Sequence, residues 1–187
     1  KNFKIEIPRN TRPLTDRMKV RIFDVLGSDI ANKSVLDLYA GAGSFALEAL
    51  SRGAKEATLV DASKQGNIII QRNVAHTGFL PQAEVIKSKV EDFIQKYKDS
   101  DKVWDIIFMD PPYKLYNTKR VEKMERIIND ASSLLPGVKN PKTKKFKGAF
   151  IIKHPKRYPI DKLNLKYIKR VETYEFGLNS ISLYIVK

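Results

Sequence analysis

The chain has 187 residues, the size of one domain with a full hydrophobic core. It contains no cysteine, which excludes a disulfide framework and thiolate metal sites, and its two histidines are far apart, so we expect no metal. The 35 lysines and arginines against 21 acidic residues give a net charge of +14, which favours a nucleic-acid partner. The alternative explanation of this charge is an ordinary solvated, lysine-rich surface.

We predict one domain over residues 1–187, with a basic N-terminal arm at residues 1–12. The sequence has no apolar run of about 18 residues and no charged-then-apolar leader, so we expect neither a membrane span nor a signal peptide. The lack of cysteine is compatible with a reducing compartment, and we expect a cytoplasmic monomer. The first residue is Lys rather than Met, so the natural start can lie upstream.

Helix-like and strand-like patterns alternate along the first half of the chain. Thr15 and Asp16 predict the start of a helix that ends before Gly27 and buries Met18, Ile22 and Leu26. The following elements are predicted in chain order: a strand over 35–39, a helix over 44–52, a strand over 57–61, a helix over 63–77, a strand over 83–86 and a helix over 90–97.

The second half continues the alternation and then changes. The predicted elements are a strand over 103–109, a helix over 117–135, a mobile loop over 136–148, a strand over 149–152, and an antiparallel pair over 165–174 and 181–186. Alternating strands and helices indicate βαβ units. The predicted fold class is therefore α/β, with a mainly parallel sheet and an antiparallel strand pair at the C-terminal end.

A glycine-rich loop lies between the first strand and its helix, in "VLDLYAGAGSFALEAL". Glycines in that position let the backbone approach a nucleotide ligand, and Gly41-x-Gly43-x-x-Ala46 also fits the dinucleotide fingerprint. Asp37 argues against a diphosphate and suits an ammonium group, as in S-adenosylmethionine. Asp61 ends the next strand and can accept from two ribose hydroxyls. A tight turn that binds no ligand is the alternative.

The tetrapeptide Asp110-Pro111-Pro112-Tyr113 follows a buried strand, where open α/β sheets collect their ligands. The prolines lack N–H groups, so this loop is rich in acceptors. An aromatic amine is a poor nucleophile, and acceptors on both of its hydrogens, the Asp110 carboxylate and the Pro111 carbonyl, would activate its lone pair. Tyr113 would stack on a looped or flipped base. The alternatives for Asp110 are a helix N-cap or a solvated carboxylate at a strand end, and the alternative for Tyr113 is a core position.

These stretches resemble a known group of enzymes. "VLDLYAGAGSFALEAL", "LVDAS" and "DPPY", in that order, are similar to class I amino-methyltransferases, and "RPLTDRMKVRIFDVL" with "YEFGLNSISLY" resemble the flanks of the bacterial RsmD-like family. The resemblance implies a Rossmann-like class I methyltransferase fold and methyl transfer from S-adenosylmethionine, without a metal, leaving S-adenosylhomocysteine. It also implies guanine N2 of small-subunit ribosomal RNA as the target, with free RNA or a small-subunit particle as partner.

Site residues follow from the motifs and this resemblance. The catalytic set is Asp110, Pro111, Pro112 and Tyr113; the cofactor-binding set is Asp37, Tyr39, Ala40, Gly41, Gly43, Asp61, Ala62, Lys89, Val90 and Asp110. Two positions depart from the family's pattern. The family usually has an acidic residue after the third strand that contacts the cofactor's adenine, and this chain has Lys89 at that position. We therefore expect the backbone around Lys89 and Val90 to bind adenine. Where relatives often have Glu after the fifth strand this chain has Lys153, whose role the sequence leaves open.

The remaining candidates concern RNA and single side chains. Arg9, Arg12 and Arg17 form an N-terminal basic cluster predicted to contact RNA phosphates, although each alone fits an ordinary surface charge. The basic loop over 136–148 is either solvated or an RNA clamp. His76 and His154 are interpreted as surface or supporting residues, and Trp104 as core.

Three other functions compete with RNA guanine-N2 methylation. A DNA adenine-N6 or cytosine-N4 methyltransferase would use the same site, although such enzymes usually add a domain that reads base edges. A non-catalytic RNA-binding module would have no use for an intact cofactor loop and tetrapeptide. An oxidoreductase that uses NAD is disfavoured by Asp37 and by the basic charge.

Overall fold

The computed structural model describes residues 4–7, 16–117, 119, 121–143 and 146–187. The predicted N-cap Thr15 and the predicted RNA contacts Arg9 and Arg12 lie outside the described residues. The chain divides into two compact units, Lys1–Val90 and Glu91–Lys187.

The first unit contains a parallel three-stranded sheet in the order β3-β2-β1. Its helices and strands are α1 (Asp16–Leu26), β1 (Ser34–Leu38), α2 (Ser44–Ser51), β2 (Glu56–Asp61), α3 (Lys64–Thr77) and β3 (Ala83–Lys87). The predicted buried face of α1 is confirmed, since Met18, Ile22 and Leu26 are buried. The parallel register pairs Asp37 with Leu59 and Asp61 with Lys87, so the acidic strand ends lie at one edge.

Local signals explain where α3 begins and ends. Ser63 precedes it with extended backbone, and its hydroxyl oxygen accepts a hydrogen bond from the Gly66 N–H at 3.1 Å. Gly78 ends the helix in the left-handed conformation, with φ of 81°, which glycine adopts without the penalty of a Cβ. The predicted end is confirmed, and the predicted start is one residue too early.

The second unit contains four strands in the order β4-β5-β7-β6. Its elements are α4 (Val90–Lys98), whose first residue is the last of the first unit, β4 (Ile106–Met109), α5 (Val121–Ser132), α6 (Pro136–Lys139), β5 (Ala149–Pro155), β6 (Ile168–Phe176) and β7 (Asn179–Val186). β4 and β5 are parallel, whereas β7 runs antiparallel to both β5 and β6. The predicted fold class, a mainly parallel α/β fold with an antiparallel strand pair at the C-terminal end, is confirmed.

The strands predicted over 165–174 and 181–186 cover Ile168–Phe176 and Asn179–Val186, and two other predicted elements of this unit are too long. The strand predicted over 103–109 begins at Ile106, because the Trp104 N–H donates to the Leu134 carbonyl at 3.1 Å instead of entering the sheet. Trp104 is a core residue, as predicted, with its ring 5.5 Å from that of Phe93. The helix predicted over 117–135 covers Val121–Ser132, and Asn117 lies before it, where its side chain accepts from the Lys119 N–H.

The segment predicted as a mobile loop over 136–148 begins with a helical turn, α6. Pro136 occupies its first position, where proline's fixed φ suits a helix and its missing N–H costs nothing. The Lys139 ammonium donates to the carbonyls of Tyr97 and Ser100, and the Gly137 N–H donates to the Lys147 carbonyl at 2.7 Å. These contacts attach the start of the segment to the unit.

Among the described residues, no helix has the length and apolar character that crossing a bilayer requires.

Candidate active site

The glycine loop of the first unit follows β1 and leads into α2. Its backbone is left-handed at three positions, with φ of 62° at Tyr39, 60° at Gly41 and 75° at Gly43. A Cβ at Gly43 would lie 2.8 Å from the Leu59 Cδ2, so a larger residue there would force the Leu59 side chain to move. Tyr39 is not a glycine but has a left-handed backbone conformation that residues with a Cβ rarely adopt, and such strained residues are common at binding sites. The backbone at Ala40 and Gly41 therefore resembles a loop shaped for a ligand.

Asp61 connects this loop to the end of β2. Its Oδ2 accepts from the Gly41 N–H at 2.9 Å, and its Oδ1 accepts from the Ser63 N–H at 2.8 Å. Each carboxylate oxygen has a second lone pair, so the half-buried side chain can still accept from two ribose hydroxyls. The site thus fits the ribose of an adenosyl cofactor.

Two residues that the sequence prediction missed support Asp61. A Cβ at Gly66 would lie 3.1 Å from the Asp61 Oδ1, so a larger residue there would press on the carboxylate. The Asn67 side chain donates at 2.8 Å to the carbonyls of both Asp61 and Ser63. The sequence signal that could have identified them is a glycine and an asparagine in the first turn of a helix that follows a strand ending in aspartate.

Asp37 is buried and accepts from the Ala46 N–H at 3.2 Å, in the first turn of α2. In the dinucleotide fingerprint a pyrophosphate rests at this helix N-terminus. Here a carboxylate of the chain occupies that end of the helix. A diphosphate would meet negative charge instead of open N–H groups, which supports the argument against a dinucleotide.

Ala62 directly follows β2, and Lys89 and Val90 follow β3. Ala62 is exposed directly after β2, and the Ser88 N–H donates to the Asp61 carbonyl at 3.1 Å, which brings the start of the next loop to this strand end. Lys89 is exposed, whereas Val90 is buried. The location is compatible with backbone recognition of adenine, which stays a prediction.

The tetrapeptide of the second unit leaves β4 as a tight loop. Pro111 is buried and Pro112 is exposed, and the Pro112 carbonyl accepts from the Leu115 N–H at 2.9 Å, closing a short turn over Tyr113–Leu115. The Tyr113 side chain is 43% exposed, so it is not a core residue. Its hydroxyl donates a hydrogen bond to the Asn179 Oδ1 at the start of β7. The ring is therefore both held in place and accessible.

Asp110 forms an ion pair that the sequence did not predict. The Lys153 Nζ lies 2.8 Å from the Asp110 Oδ2, with the lysine side chain 5% exposed and the aspartate 24%. Burial raises the pKa of Asp110, and the charge and hydrogen bond of Lys153 act in the opposite direction. The only sequence signal for this partner was a lysine at the end of an apolar strand.

Arg17 and the two histidines differ in how exposed they are. Arg17 lies on the exposed side of α1 in the first unit. His76 is exposed, in agreement with the prediction. His154, predicted as a surface or supporting residue, is not at the surface: its Nδ1 lies 3.0 Å from the Pro155 carbonyl oxygen and its Nε2 2.9 Å from the Ser182 Oγ. Because it lies within the sheet, burial lowers its pKa.

Comparison with known proteins gives the following similarities. The chain is 33% identical over 104 residues to ribosomal RNA small subunit methyltransferase D of Buchnera aphidicola, an alignment that covers 56% of this chain and 53% of that protein. It is 32% identical over 113 residues to ribosomal RNA large subunit methyltransferase I of Klebsiella pneumoniae, covering 60% of this chain and 28% of that protein. The alignments thus span about half, or less, of these relatives.

A solved structure supports the fold along the whole chain. The Escherichia coli protein yhhF, provisionally described as a methyltransferase, superposes with a TM-score of 0.78 at 23% identity, covering 100% of this chain and 93% of that one. The family model described as "Conserved hypothetical protein 95" matches residues 1–184. Since that match includes nearly the whole sequence, the chain belongs to this family, the RsmD-like methyltransferases that its motifs predict.

Proposed function

We propose that this protein transfers a methyl group from S-adenosylmethionine to the exocyclic N2 amine of a guanine in small-subunit ribosomal RNA. The observation that carries the proposal is the tetrapeptide loop. It combines a half-buried carboxylate at Asp110 with an accessible ring at Tyr113, held by its hydroxyl. A carboxylate acceptor and a stacking surface are what an enzyme needs to hold a nucleobase by its amine.

The chemistry of the amine explains these residue types. The lone pair of an aromatic amine is delocalised into the ring, which makes the nitrogen a weak nucleophile. Asp110 and the Pro111 carbonyl would accept one hydrogen each, orient the lone pair for attack, and oppose the positive charge that develops on nitrogen. The bound cofactor supplies an electrophilic methyl group on its sulfonium. With no cysteine in the chain, a thiolate adduct of the base has no source.

The first unit would hold the cofactor. The backbone of the glycine loop allows close approach, and Asp61 would accept from the ribose hydroxyls. Tyr39, Ala40, Gly41, Gly43 and Ala62 would surround it, with the backbone near Lys89 and Val90 at the adenine. Asp37 would suit its ammonium group, and the reaction needs no metal.

The substrate class rests on charge and on the relatives. A net charge of +14 suits RNA, and the relatives include ribosomal RNA methyltransferases of both subunits. We favour the small subunit because the flanking motifs resemble those of the RsmD-like family. We further propose that residues 1–187 act as one domain and as a cytoplasmic monomer, on ribosomal RNA or a small-subunit particle, with Arg9, Arg12 and Arg17 contacting phosphates.

The test is methylation in vitro with isotopically labelled S-adenosylmethionine. Unmodified small-subunit RNA, small-subunit particles, large-subunit RNA and duplex DNA would be incubated separately, digested to nucleosides and analysed by mass spectrometry. We expect labelled N2-methylguanosine from small-subunit RNA, free or in particles, and far less in the same time with Asp110→Asn. Labelled N6-methyladenine or N4-methylcytosine from DNA would contradict the proposal and support a DNA enzyme.

A further inference from the structure

Lys153 ends the apolar run of β5, "AFIIKHP", in a buried position. A buried ammonium is costly unless a partner of opposite charge receives its hydrogen bond. The Asp110 carboxylate provides that partner, with 2.8 Å between the Lys153 Nζ and the Asp110 Oδ2. Lys153 therefore directly contacts Asp110, the residue that accepts a hydrogen bond from the target amine in the proposed function.

The backbone of Lys153 makes a second contact with the same loop. The Tyr116 hydroxyl donates to the Lys153 carbonyl, and the Tyr116 ring packs edge-on against Tyr158 with centroids 4.9 Å apart. Lys153 thus holds the loop after β4 at two points. Its side chain binds Asp110, and its backbone carbonyl binds the Tyr116 hydroxyl.

We propose that Lys153 is a positioning residue for methyl transfer, which keeps the Asp110 carboxylate ionised and fixes its orientation by binding Oδ2. Oδ1, the oxygen outside this ion pair, is then the acceptor for the target amine. This inference rests on the proposed function, since it assigns a partner to the carboxylate that would hold the amine. It gives a role to a position where this chain departs from the family's pattern.

The physical reason is the environment of Asp110. A carboxyl group in a half-buried site tends to take up a proton, and a protonated carboxyl loses its negative charge and has one acceptor oxygen converted to an O–H donor, so it binds and activates the amine less well. Burial raises the pKa of Asp110, and Lys153 is the charged group that opposes this rise. Without Lys153, a larger share of the protein would carry protonated Asp110 at neutral pH.

The neighbouring titratable groups point elsewhere. His154, the next residue of β5, is directed at the Pro155 carbonyl and Ser182. The hydroxyls of the two loop tyrosines bond to Asn179 and to the Lys153 carbonyl. None of these groups, in the described part of this unit, supplies a positive charge that could replace Lys153.

The experiment compares the full wild-type chain with three single variants at position 153. Lys153→Met removes the charge at similar length, Lys153→Gln keeps a hydrogen-bond donor without charge, and Lys153→Arg keeps the charge. Lys156→Met is the matched control, because Lys156 follows closely, is about half exposed, and pairs with Glu175 at 2.6 Å. Thermal unfolding would identify any variant that fails to fold, and the Gln variant then replaces the Met variant.

Two readouts separate positioning from simple support of the fold. The first is a ¹³C NMR titration of the Asp110 carboxyl without RNA or cofactor, assigned with Asp110→Asn. We expect Asp110 to titrate at higher pH in the Met and Gln variants than in wild type, and near wild type in Lys153→Arg and Lys156→Met. An unchanged titration in the Met or Gln variant overturns the proposal.

The second readout is kcat/KM for RNA methylation across pH. We expect a loss of about tenfold or more in Lys153→Met near neutral pH, which shrinks as pH rises because Asp110 then ionises unaided, with partial rescue in Lys153→Arg. A loss that is constant with pH overturns the positioning role. If wild type methylates no RNA, the proposed function fails, whereas the NMR titration still decides whether Lys153 keeps Asp110 ionised.

Discussion

The backbone N–H of Gly41 donates a hydrogen bond to the Asp61 Oδ2 at 2.9 Å, which joins the glycine loop to the end of the neighbouring strand. Asp61 also accepts from the Ser63 N–H, at the start of α3. The same carboxylate that would bind the ribose therefore also fixes the shape of the glycine loop.

Asp61→Ala is expected to weaken binding of S-adenosylhomocysteine at least tenfold. It removes two charge-assisted hydrogen bonds to ribose, worth about 1.5–3 kcal/mol each before compensation, and releases the Gly41 N–H. Isothermal titration calorimetry measures the affinity. Asp130→Ala, which removes an aspartate of α5 that pairs with Lys98, is the control and should bind normally. Equal affinities in the two variants would remove Asp61 from the site.

Gly43→Ala is expected to destabilise the protein more than Gly78→Ala does. Both glycines have positive φ, 75° and 81°, so both substitutions cost about 1–2 kcal/mol of backbone strain. Only the Gly43 Cβ would meet another group, the Leu59 side chain at 2.8 Å, which adds about 1–3 kcal/mol of overpacking. Urea unfolding would compare the two free energies. A Gly78→Ala loss that equals or exceeds the Gly43→Ala loss would contradict this packing account.

Local sequence signals were sufficient for much of the fold. The N-cap at Ser63 and the left-handed glycine at Gly78 are determined by residues within a few positions, and the prediction placed that helix within one residue at its start. The predicted start of β4 was wrong because an apolar run does not reveal that the Trp104 N–H bonds to Leu134, 30 residues away in sequence (134 − 104). The turn at Pro136 was missed because proline both breaks and begins helices.

For the candidate site, the sequence points to residues that stand together in a motif but not to contacts between residues that are distant in sequence. Asp110 and Tyr113 stand in one recognisable tetrapeptide. Their partners Lys153 and Asn179 lie 43 and 66 residues further along the chain, in β5 and β7. A single sequence gives no information on pairs at that separation, so the ion pair and the tyrosine anchor had to come from the structure.

Tyr113→Ala should weaken RNA binding and slow methylation, whereas Tyr113→Phe should be tolerated. The ring supplies base stacking worth about 1–3 kcal/mol, which phenylalanine keeps. The hydroxyl bonds to Asn179, so Asn179→Ala removes the same hydrogen bond from the other side and is the matched variant. Steady-state kinetics would rank the three. Equal losses in Tyr113→Phe and Tyr113→Ala would show that the anchored hydroxyl, not the ring, is required.

RNA affinity is expected to fall steeply as salt is added, because the net charge of +14 implies phosphate contacts. Each neutralised phosphate of a single strand contributes a slope of about −0.7 in log K against log salt. A few contacts should therefore give a slope of several units, and Arg17→Ala should reduce its magnitude by roughly 0.7. Fluorescence anisotropy over a salt series measures both. A flat response would indicate a substrate other than nucleic acid.

The central claim is that Asp110 holds the target amine, and the methyl-transfer rate of Asp110→Asn tests it most directly. The substitution keeps the size of the side chain but removes its negative charge and exchanges one acceptor oxygen for a donor. With small-subunit RNA at saturating cofactor, we expect kcat to fall by about 10²–10³, as for loss of one transition-state hydrogen-bond partner. Turnover close to that of wild type would contradict the mechanism.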